Sequence, residues 1–249
     1  MSKVIFPAVA LAVMSALSPA AFGGTYVESA LSDPLKSTAP SQTTKMWFDS
    51  GRFRLETRNG QQVQIFKDRT IYVLTVPTKR YSEITQASLD GAAKQAEDAT
   101  NKLYDLLPPE QRAKMQKQRR TPPPMDRALK PTNRTESAAG LSCKVWEVFI
   151  NGSKVRELCV ADLAAVPNGK DLLQTMQEVS DAFKSSAAGA TESRSDLQTM
   201  NGVPIITRMY VNGKLFQESK ATTIRAAPTP ASLFTVPAGF QQQAMGEIG

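Results

Sequence analysis

The chain has 249 residues, with 30 lysines and arginines against 23 acidic residues, and a formal net charge of +7. It contains two cysteines and no histidine. The lack of histidine excludes Ser-His and Cys-His nucleophiles and His-ligated metals, and two cysteines alone do not complete a tetrahedral zinc site. Paired carboxylates remain possible in principle, but no local pattern indicates them. We therefore expect a protein that is not an enzyme and has no cofactor.

The first residues have the layout of a secretory signal. Lys3 precedes an apolar run at 4–17, and small residues follow as far as Gly24. The run is too short for a membrane crossing of about 20 residues. We expect a signal peptide at 1–23, and no lipoprotein, because no cysteine follows the run. The predicted location is the periplasm of a Gram-negative bacterium, as an exported soluble protein without a transmembrane helix.

A meander of strands is predicted after the signal. Residues 24–43 are expected to be a partly flexible lead-in to a single domain at 44–249. From Thr44 to Ile84, β-rich runs alternate with turn signals such as Asn59-Gly60, a dipeptide typical of tight hairpins. Apolar and polar residues alternate along these runs, which predicts a sheet with one covered face.

Two amphipathic helices are predicted beside the strands. From Gln86 to Leu107, leucine and alanine recur at helical spacing until Pro108-Pro109. The small alanines are expected to let this helix lie close against the sheet. A weaker helix is predicted at 110–119, and the second amphipathic helix runs from Lys170 to Phe183.

A basic, proline-rich connector is predicted at about 112–134. It carries eight basic residues, and Asp126 is its only acid. It could be a cationic arm that touches an anionic membrane surface or a solvated connector. The second interpretation is favoured, because few apolar side chains accompany the charge. Nucleic acid is not an expected partner, since an exported protein rarely meets it.

Further strands are predicted at 141–150 and 155–161, in a hairpin around Asn212-Gly213, and near the C-terminus. The total is seven to nine antiparallel strands. The predicted fold class is α+β, a curved antiparallel sheet with helices packed over one face.

The order of these patterns resembles a known family. The segments are "KMWFDSGRFRLE", "IFKDRTIYVLTVPTKRYSEI", "GLSCKVWEVFINGSKVRELCVAD" and a closing Pro237–Phe240 motif. Together they resemble an uncharacterised, domain-of-unknown-function family of exported bacterial proteins related to the LolA/LolB-like lipoprotein carriers. The resemblance covers Thr44 to Phe240. It implies a half-open β-barrel with helices over its concave face and an apolar cavity that binds acyl chains or a lipidated N-terminus.

Eight apolar residues are candidates for the cavity lining, although a plain core position is the favoured interpretation for any single one. They are Phe53, Leu55, Val63, Ile65, Val73, Met209, Val211 and Leu215. The first functional hypothesis is a periplasmic carrier or receptor for a lipid, acyl chain or lipoprotein. The alternative is an envelope protein-interaction or sensor module with a dry core, and an enzyme is the third.

Cys143 and Cys159 could form a redox couple, half of a metal site or a covalent staple. A redox couple needs close Cys-x-x-Cys spacing, which is absent. A three-residue loop at 150–152 places Phe149 opposite Ser153 and the two cysteines directly opposite each other. Facing thiols in an oxidising compartment form a disulfide, which is the predicted outcome.

Overall fold

The computed structural model describes residues 23–35, 42–108, 110–111, 126–182 and 194–244. The described residues form twelve strands: β1 (Gly24–Ser32), β2 (Gln42–Asp49), β3 (Arg52–Thr57), β4 (Gln62–Lys67), β5 (Thr70–Thr75), β6 (Arg80–Ile84), β7 (Arg127–Ala138), β8 (Leu141–Ile150), β9 (Ser153–Asp162), β10 (Gly202–Val211), β11 (Lys214–Ala227) and β12 (Gln241–Gln242). The α-helices in this part of the chain are α1 (Gln86–Asp105), α2 (Gly169–Ala182) and α3 (Arg194–Met200).

All twelve strands belong to one sheet, in the order β12-β6-β5-β4-β3-β2-β1-β11-β10-β9-β8-β7. Neighbouring strands are antiparallel, except that β12 runs parallel to β6. The outer strands β12 and β7 do not pair with each other, so the sheet does not close. This open architecture confirms the predicted α+β half-barrel class. The predicted strand number was too low because β1, β7 and β12 were missed.

The prediction that residues 24–43 form a partly flexible lead-in is wrong for the first half of that range. It contains β1, which pairs with β2 on one side and with β11 on the other. Thr25, Tyr26 and Val27 are all buried. The partners of β1 include a strand about two hundred residues away, and local patterns in a sequence do not reveal such a pairing.

The predicted connector at 112–134 is also corrected in part. Residues 127–134 belong to β7, the edge strand that pairs with β8. Pro131 lies opposite Trp146, and an irregularity follows before Thr135. An edge strand tolerates proline because the N–H groups on its free side have no neighbouring strand to bond. Residues 112–125, and residues 1–22 of the signal peptide predicted at 1–23, lie outside the described residues.

Helix α1 begins as the sequence predicted but does not lie against the sheet. Thr85 and Ser88 form a capping box at its start, and Leu89 packs with Phe66 and Ile84. Residues 91–99 are exposed, however, and Leu103 is 65% exposed. The expectation of close packing is therefore wrong beyond the first turn. No helix among the described residues has the length and apolar character needed to span a membrane.

Helices α2 and α3 do pack on the sheet. Leu173 of α2 and Leu197 of α3 form one buried cluster with Leu158 and Val160 of β9. The C-terminal segment covers another part of the sheet, where Phe234 is buried with Ile65. That segment contains a 3-10 helix at Ala231–Phe234, where a short strand was predicted.

The structure joins Cys143 and Cys159 by a disulfide, with their Cα atoms 5.2 Å apart. This confirms the predicted staple and fits an oxidising compartment. The predicted register is wrong, however, because Cys143 lies opposite Ala161 and Cys159 lies opposite Val145. The two cysteines are diagonal neighbours rather than direct partners.

The register differs because the turn has two residues and the strand contains a bulge. Asn151 and Gly152 both have positive φ, at 49° and 76°, as a tight Asn-Gly turn requires. Ile150 consequently lies opposite Ser153, and the register shifts again between Val148 and Phe149. The sequence indicated an irregular hairpin but placed the extra residue in the loop instead of the strand.

Replacing both cysteines with alanine should lower the free energy of unfolding by about 3 kcal/mol, because the disulfide closes a loop between two residues 16 positions apart in the sequence. Urea unfolding of the variant and the parent protein measures the difference. Intact-mass analysis after alkylation should find no free thiol before reduction and two after it. Two reactive thiols in the native, unreduced protein would contradict the disulfide.

Candidate functional site

An apolar cavity of about 170 Å³ lies between α2 and strands β1, β2, β10 and β11. Leu172 and Met176, one helical turn apart on α2, face Met46 and Phe48 of β2 across it. The remaining lining residues come from the central strands: Val27, Ser29, Val203, Pro204, Ile205, Thr207, Ser219, Ala221 and Ile224. The cavity is thus an apolar space with three hydroxyl side chains in its wall.

Helix α2 is held over this cavity by hydrogen bonds from its own side chains and from the loop before it. The hydroxyl of Thr175 accepts a hydrogen bond from the N–H of Gly51, in the β2–β3 turn, at 3.2 Å. In the loop before α2, Asn168 donates to the carbonyl of Gly24 at 3.1 Å. The hydroxyl of Thr25 donates to the carbonyl of Pro167 at 2.6 Å. These contacts fix the helix to β1 and to one end of β2.

Gly51 has a φ of +76°, a conformation that favours glycine. An added Cβ would lie 2.5 Å from an oxygen at the flexible end of the Glu178 side chain, which would have to move. The hydrogen bond from the N–H of Gly51 to Thr175 joins the β2–β3 turn to α2 here.

The volume of the cavity limits what it can hold. Small-molecule sites usually measure about 300–1,000 Å³. An apolar cavity of about 150 Å³ is sufficient for a molecule of the size of benzene. At about 170 Å³, this cavity matches one apolar side chain or the end of an acyl chain.

The eight predicted lining residues do not share one face of the sheet. Phe53 lies directly opposite Phe66, and opposed residues in an antiparallel pair point to the same side. Ile65 is adjacent to Phe66 in β4, so Ile65 and Val63 point to the other side from Phe53 and Leu55. The expectation of a common inner face is therefore wrong.

The predicted residues occupy three separate surroundings. Val63 and Ile65 are buried with Phe234 of the C-terminal segment. Phe53, Leu55 and Val73 are half-buried. Met209, Val211 and Leu215 lie towards the tip of the β10–β11 hairpin, where Val211 is 53% exposed. The cavity beneath α2 is lined by a different set of residues, and ligand contact by any of the eight stays a prediction.

Sequence patterns indicated part of the actual lining. Leu172 and Met176 belong to the apolar stripe that predicted α2, and this stripe had to cover some surface. The strand residues of the cavity were harder to find. Val27 lies opposite both Met46 and Ile224, which depends on β1 being the central strand.

A polar cleft of about 820 Å³ lies on another flank of α2. It is bordered by the β2–β3 and β4–β5 turns and by side chains of α2. Side chains of both charges line it. The basic ones include Arg69 and Lys170, and the acidic ones are Asp68, Glu178 and Asp181. The mixture of charges selects neither an anion nor a cation, so the cleft is a weaker candidate site than the apolar cavity.

A dense group of titratable side chains lies on strands β7 to β11. Arg208 of β10 donates two hydrogen bonds to Glu136 of β7, at 2.7 and 2.8 Å, and one to Glu218 of β11, at 2.6 Å. Arg208 also lies 3.5 Å from Glu157 of β9. Strands β7 and β10 are three positions apart, about 14 Å in a flat sheet. The sheet must therefore bend to bring Arg208 and Glu136 into contact.

Glu157 is the most buried carboxylate of this cluster, with a side chain only 5% exposed. It lies directly opposite Glu147, and this like-charged pair would be destabilising alone. Lys154 and Arg134 compensate, since they bind Glu157 at 2.9 and 2.8 Å and each lies 3.5 Å from Glu147. We name these residues, with Arg208, Glu136 and Glu218, the ion cluster.

The ion cluster keeps Glu157 and Glu136 ionised. Burial by itself raises the pKa of Glu157, but hydrogen bonds from Lys154 and Arg134 and their positive charges outweigh it and lower the pKa to about 2. Hydrogen bonds from Arg208 lower the pKa of Glu136. A carboxylate held in this way is a poor general acid or base near neutral pH. The cluster is suited to holding strands together.

Three basic residues of the predicted connector lie in β7, and all three make contacts within the protein. Arg127 pairs with Asp196 of α3, Arg134 binds Glu157, and the ammonium of Lys130 lies 4.8 Å from the ring centre of Phe149. These three charges serve internal contacts. A contact with an anionic membrane surface stays a prediction for residues 112–125. In the described part of the chain, no group of three or more acidic or cysteine side chains could hold a metal ion.

No family model and no curated protein matches the chain. Several solved structures are similar in shape at low identity. An uncharacterized conserved protein from Thermus thermophilus has a TM-score of 0.46 and 8% identity, covering 90% of this chain and 92% of that one. The MucA/MucB complex of Pseudomonas aeruginosa has a TM-score of 0.38 and 14% identity, and the match covers 84% of this chain and 54% of that one. A structure of PNGF-II has a TM-score of 0.42 and 10% identity, and the match covers 90% of this chain and 32% of that one.

The chain thus spans about half of the matched chain in the MucA/MucB structure and about a third of PNGF-II. At these identities and TM-scores, the similarity transfers neither a function nor a partner. The likeness to a LolA/LolB-related family remains a resemblance in sequence pattern.

Replacing Glu157 with glutamine should destabilise the protein by about 3 kcal/mol at pH 7, because it leaves the cations of the ion cluster poorly compensated. The pKa of Glu157 is lower in the folded protein, so its contribution is complete above about pH 4.5 and is lost as the pH falls towards 2. The difference from the parent protein should therefore shrink over this range. Urea unfolding at several pH values measures it.

The same substitution at Glu97, an exposed residue of α1 outside the ion cluster, is the matched control. It should change the free energy of unfolding by less than about 0.5 kcal/mol at any of these pH values. A Glu157→Gln effect that stays constant from pH 7 to pH 2 would show that ionisation of Glu157 does not stabilise the fold.

Proposed function

We propose that this protein is a non-catalytic binding protein of the cell envelope that takes an apolar group into the cavity beneath α2. The observation that carries the proposal is the cavity itself, which is lined mainly by apolar side chains and covered by a helix. A fully packed core would have no such space, because protein interiors leave few voids larger than a water molecule.

The chemistry of the lining favours an acyl chain as the ligand. Met46 and Met176 contribute flexible, polarisable side chains, which adapt to the irregular shape of an alkyl chain. Thr207 and Ser219, directly opposite each other in β10 and β11, can hydrogen-bond a polar end group. An apolar pocket with a few polar groups is the usual composition of a lipid or small-molecule site.

The size of the cavity supports a second candidate function. A volume of about 170 Å³ is also enough for one large apolar side chain of a protein partner. The protein would then be an envelope interaction or sensor module instead of a carrier. A ligand that copurifies with the protein distinguishes these functions, because only the carrier or receptor holds a lipid.

Filling the cavity tests the proposal. Ala221 lines the cavity and is 3% exposed, so Ala221→Leu should occupy the space that an acyl chain needs. We expect the parent protein to bind a fluorescent fatty acid and the variant to bind it at least tenfold more weakly, equivalent to about 1.4 kcal/mol. Fluorescence titration gives the two dissociation constants, and circular dichroism checks that the variant folds.

The matched control is Ala226→Leu, the same change at an exposed position of the same strand. It should bind the fatty acid like the parent protein. Native mass spectrometry of protein purified from its own envelope should show a bound lipid mass. A ligand-free mass together with no uptake of the fatty acid would reject the acyl-chain proposal and leave the interaction module.

A further inference from the structure

Beyond Leu89, which packs against the sheet, the apolar stripe of α1 is left exposed by the described residues. Ala92, Ala96 and Ala99 are exposed, Leu103 is 65% exposed, and Leu106, just after the helix, is 82% exposed. A 20-residue helix is about 30 Å long, and its contact with the sheet is made by the first turn, at Leu89. The side chains of Ala92, Ala96, Ala99, Leu103 and Leu106 are therefore exposed along most of the length of α1.

The stripe has the spacing of a coiled-coil seam. Its residues are separated by three, four, three, four and three positions, which is the a/d pattern of a heptad repeat. The a positions are Leu89, Ala96 and Leu103, and the d positions are Ala92, Ala99 and Leu106. Ala93 and Leu107 lie beside these positions and widen the stripe, and an apolar stripe with this spacing is suited to packing against another helix.

We propose that α1 is a self-association site, at which two copies of the chain pair their α1 helices in antiparallel orientation. Such an interface is two-fold symmetric and uses the same residues of both copies. This proposal is independent of the ligand-binding function, because α1 does not line the cavity beneath α2.

The order of large and small residues favours the antiparallel arrangement. Antiparallel pairing brings Leu89 of one copy to Leu106 of the other, Ala92 to Leu103, and Ala96 to Ala99. Leu103 thus fills the space beside an alanine, which is how large and small residues interdigitate in a packed core. A parallel pair would instead place three alanine layers together and leave a gap between leucine layers.

The charges beside the seam permit this pairing. The positions that flank an antiparallel seam bring Gln95 of one copy near Lys102 of the other, and Ala93 near Thr100. No like-charged pair arises there. The acidic residues of the helix occupy positions away from the seam, and they are Asp90, Glu97, Asp98 and Asp105. The small residues at 93 and 100 also let the two helices approach closely.

The size of the seam predicts a weak dimer. Six seam positions cover about 26 Å of helix, and one helix pair buries less than the roughly 1,600 Å² of a standard stable interface. We therefore expect reversible association that depends on protein concentration. Leu106 of the partner would lie beside Leu89, where the helix meets the sheet.

Sedimentation velocity over a range of concentrations tests the association. The parent protein should shift from monomer to dimer as its concentration rises. Leu103→Glu, at an exposed seam position, should raise the dissociation constant at least about tenfold. The control Lys94→Glu adds negative charge on the opposite side of α1 and should leave the dissociation constant within about twofold. Because both sites are exposed, both variants should keep the parent's melting temperature.

Disulfide trapping tests the orientation. Ala92→Cys and Leu103→Cys proteins are mixed and oxidised. An antiparallel pair should give the mixed dimer, because residue 92 of one copy faces residue 103 of the other. Two copies of residue 92 would be about 16 Å apart along the axis and could not bond. A parallel pair would give only the two homodimers.

Any one of four outcomes would overturn the proposal. A parent protein that stays monomeric at every concentration excludes self-association. Dimerisation of a variant lacking 112–125, but not of the parent, would show that this segment occupies the seam in the intact chain. A dimer unaffected by Leu103→Glu would place the interface elsewhere. Homodimer trapping alone would exclude the antiparallel pairing.

Discussion

The pairing of β1 with both β2 and β11 is the constraint on which the rest of the structure depends. Strands β2 to β6 come from one continuous segment and β7 to β11 from another, and β1 joins them into one sheet. Val27 of β1 therefore has Met46 on one side and Ile224 on the other. The apolar cavity lies over this junction, and α2 is tied to the same strand through Thr25 and Gly24. The candidate site thus exists because two halves of the chain meet at β1.

Charge and a covalent bond add to the strand pairing and the buried apolar clusters in the half of the sheet from β7 to β11. The disulfide links β8 to β9, and the ion cluster connects β7, β8, β9, β10 and β11 through buried Glu157 and half-buried Arg208. A buried carboxylate needs compensating hydrogen bonds to be tolerated. Arg134 and Lys154 meet this requirement for Glu157. The ion cluster is therefore structural, and the apolar cavity is a separate feature.

Two helices with similar apolar stripes have different surroundings. Leu172 and Met176 of α2 lie over the cavity, whereas Ala96 and Leu103 of α1 are exposed. The difference follows from where each helix meets the sheet. Hydrogen bonds to the β2–β3 turn and to β1 hold α2 across the sheet, while α1 packs on it at its first turn, through Leu89. An amphipathic pattern indicates that a face needs a partner, and the position of the helix decides which partner it finds.

Local signals in the sequence were sufficient to predict several elements: the meander from Thr44 to Ile84, the start of α1 at Gln86, helix α2, the Asn-Gly hairpins and a disulfide between the only two cysteines. These depend on turn chemistry and on periodicity within a few residues. Only the folded chain established that β1 is central, that Ile65 and Phe53 face opposite sides, and which residues line the cavity. Each of these depends on pairing between strands, where a shift of one residue reverses the face of every side chain.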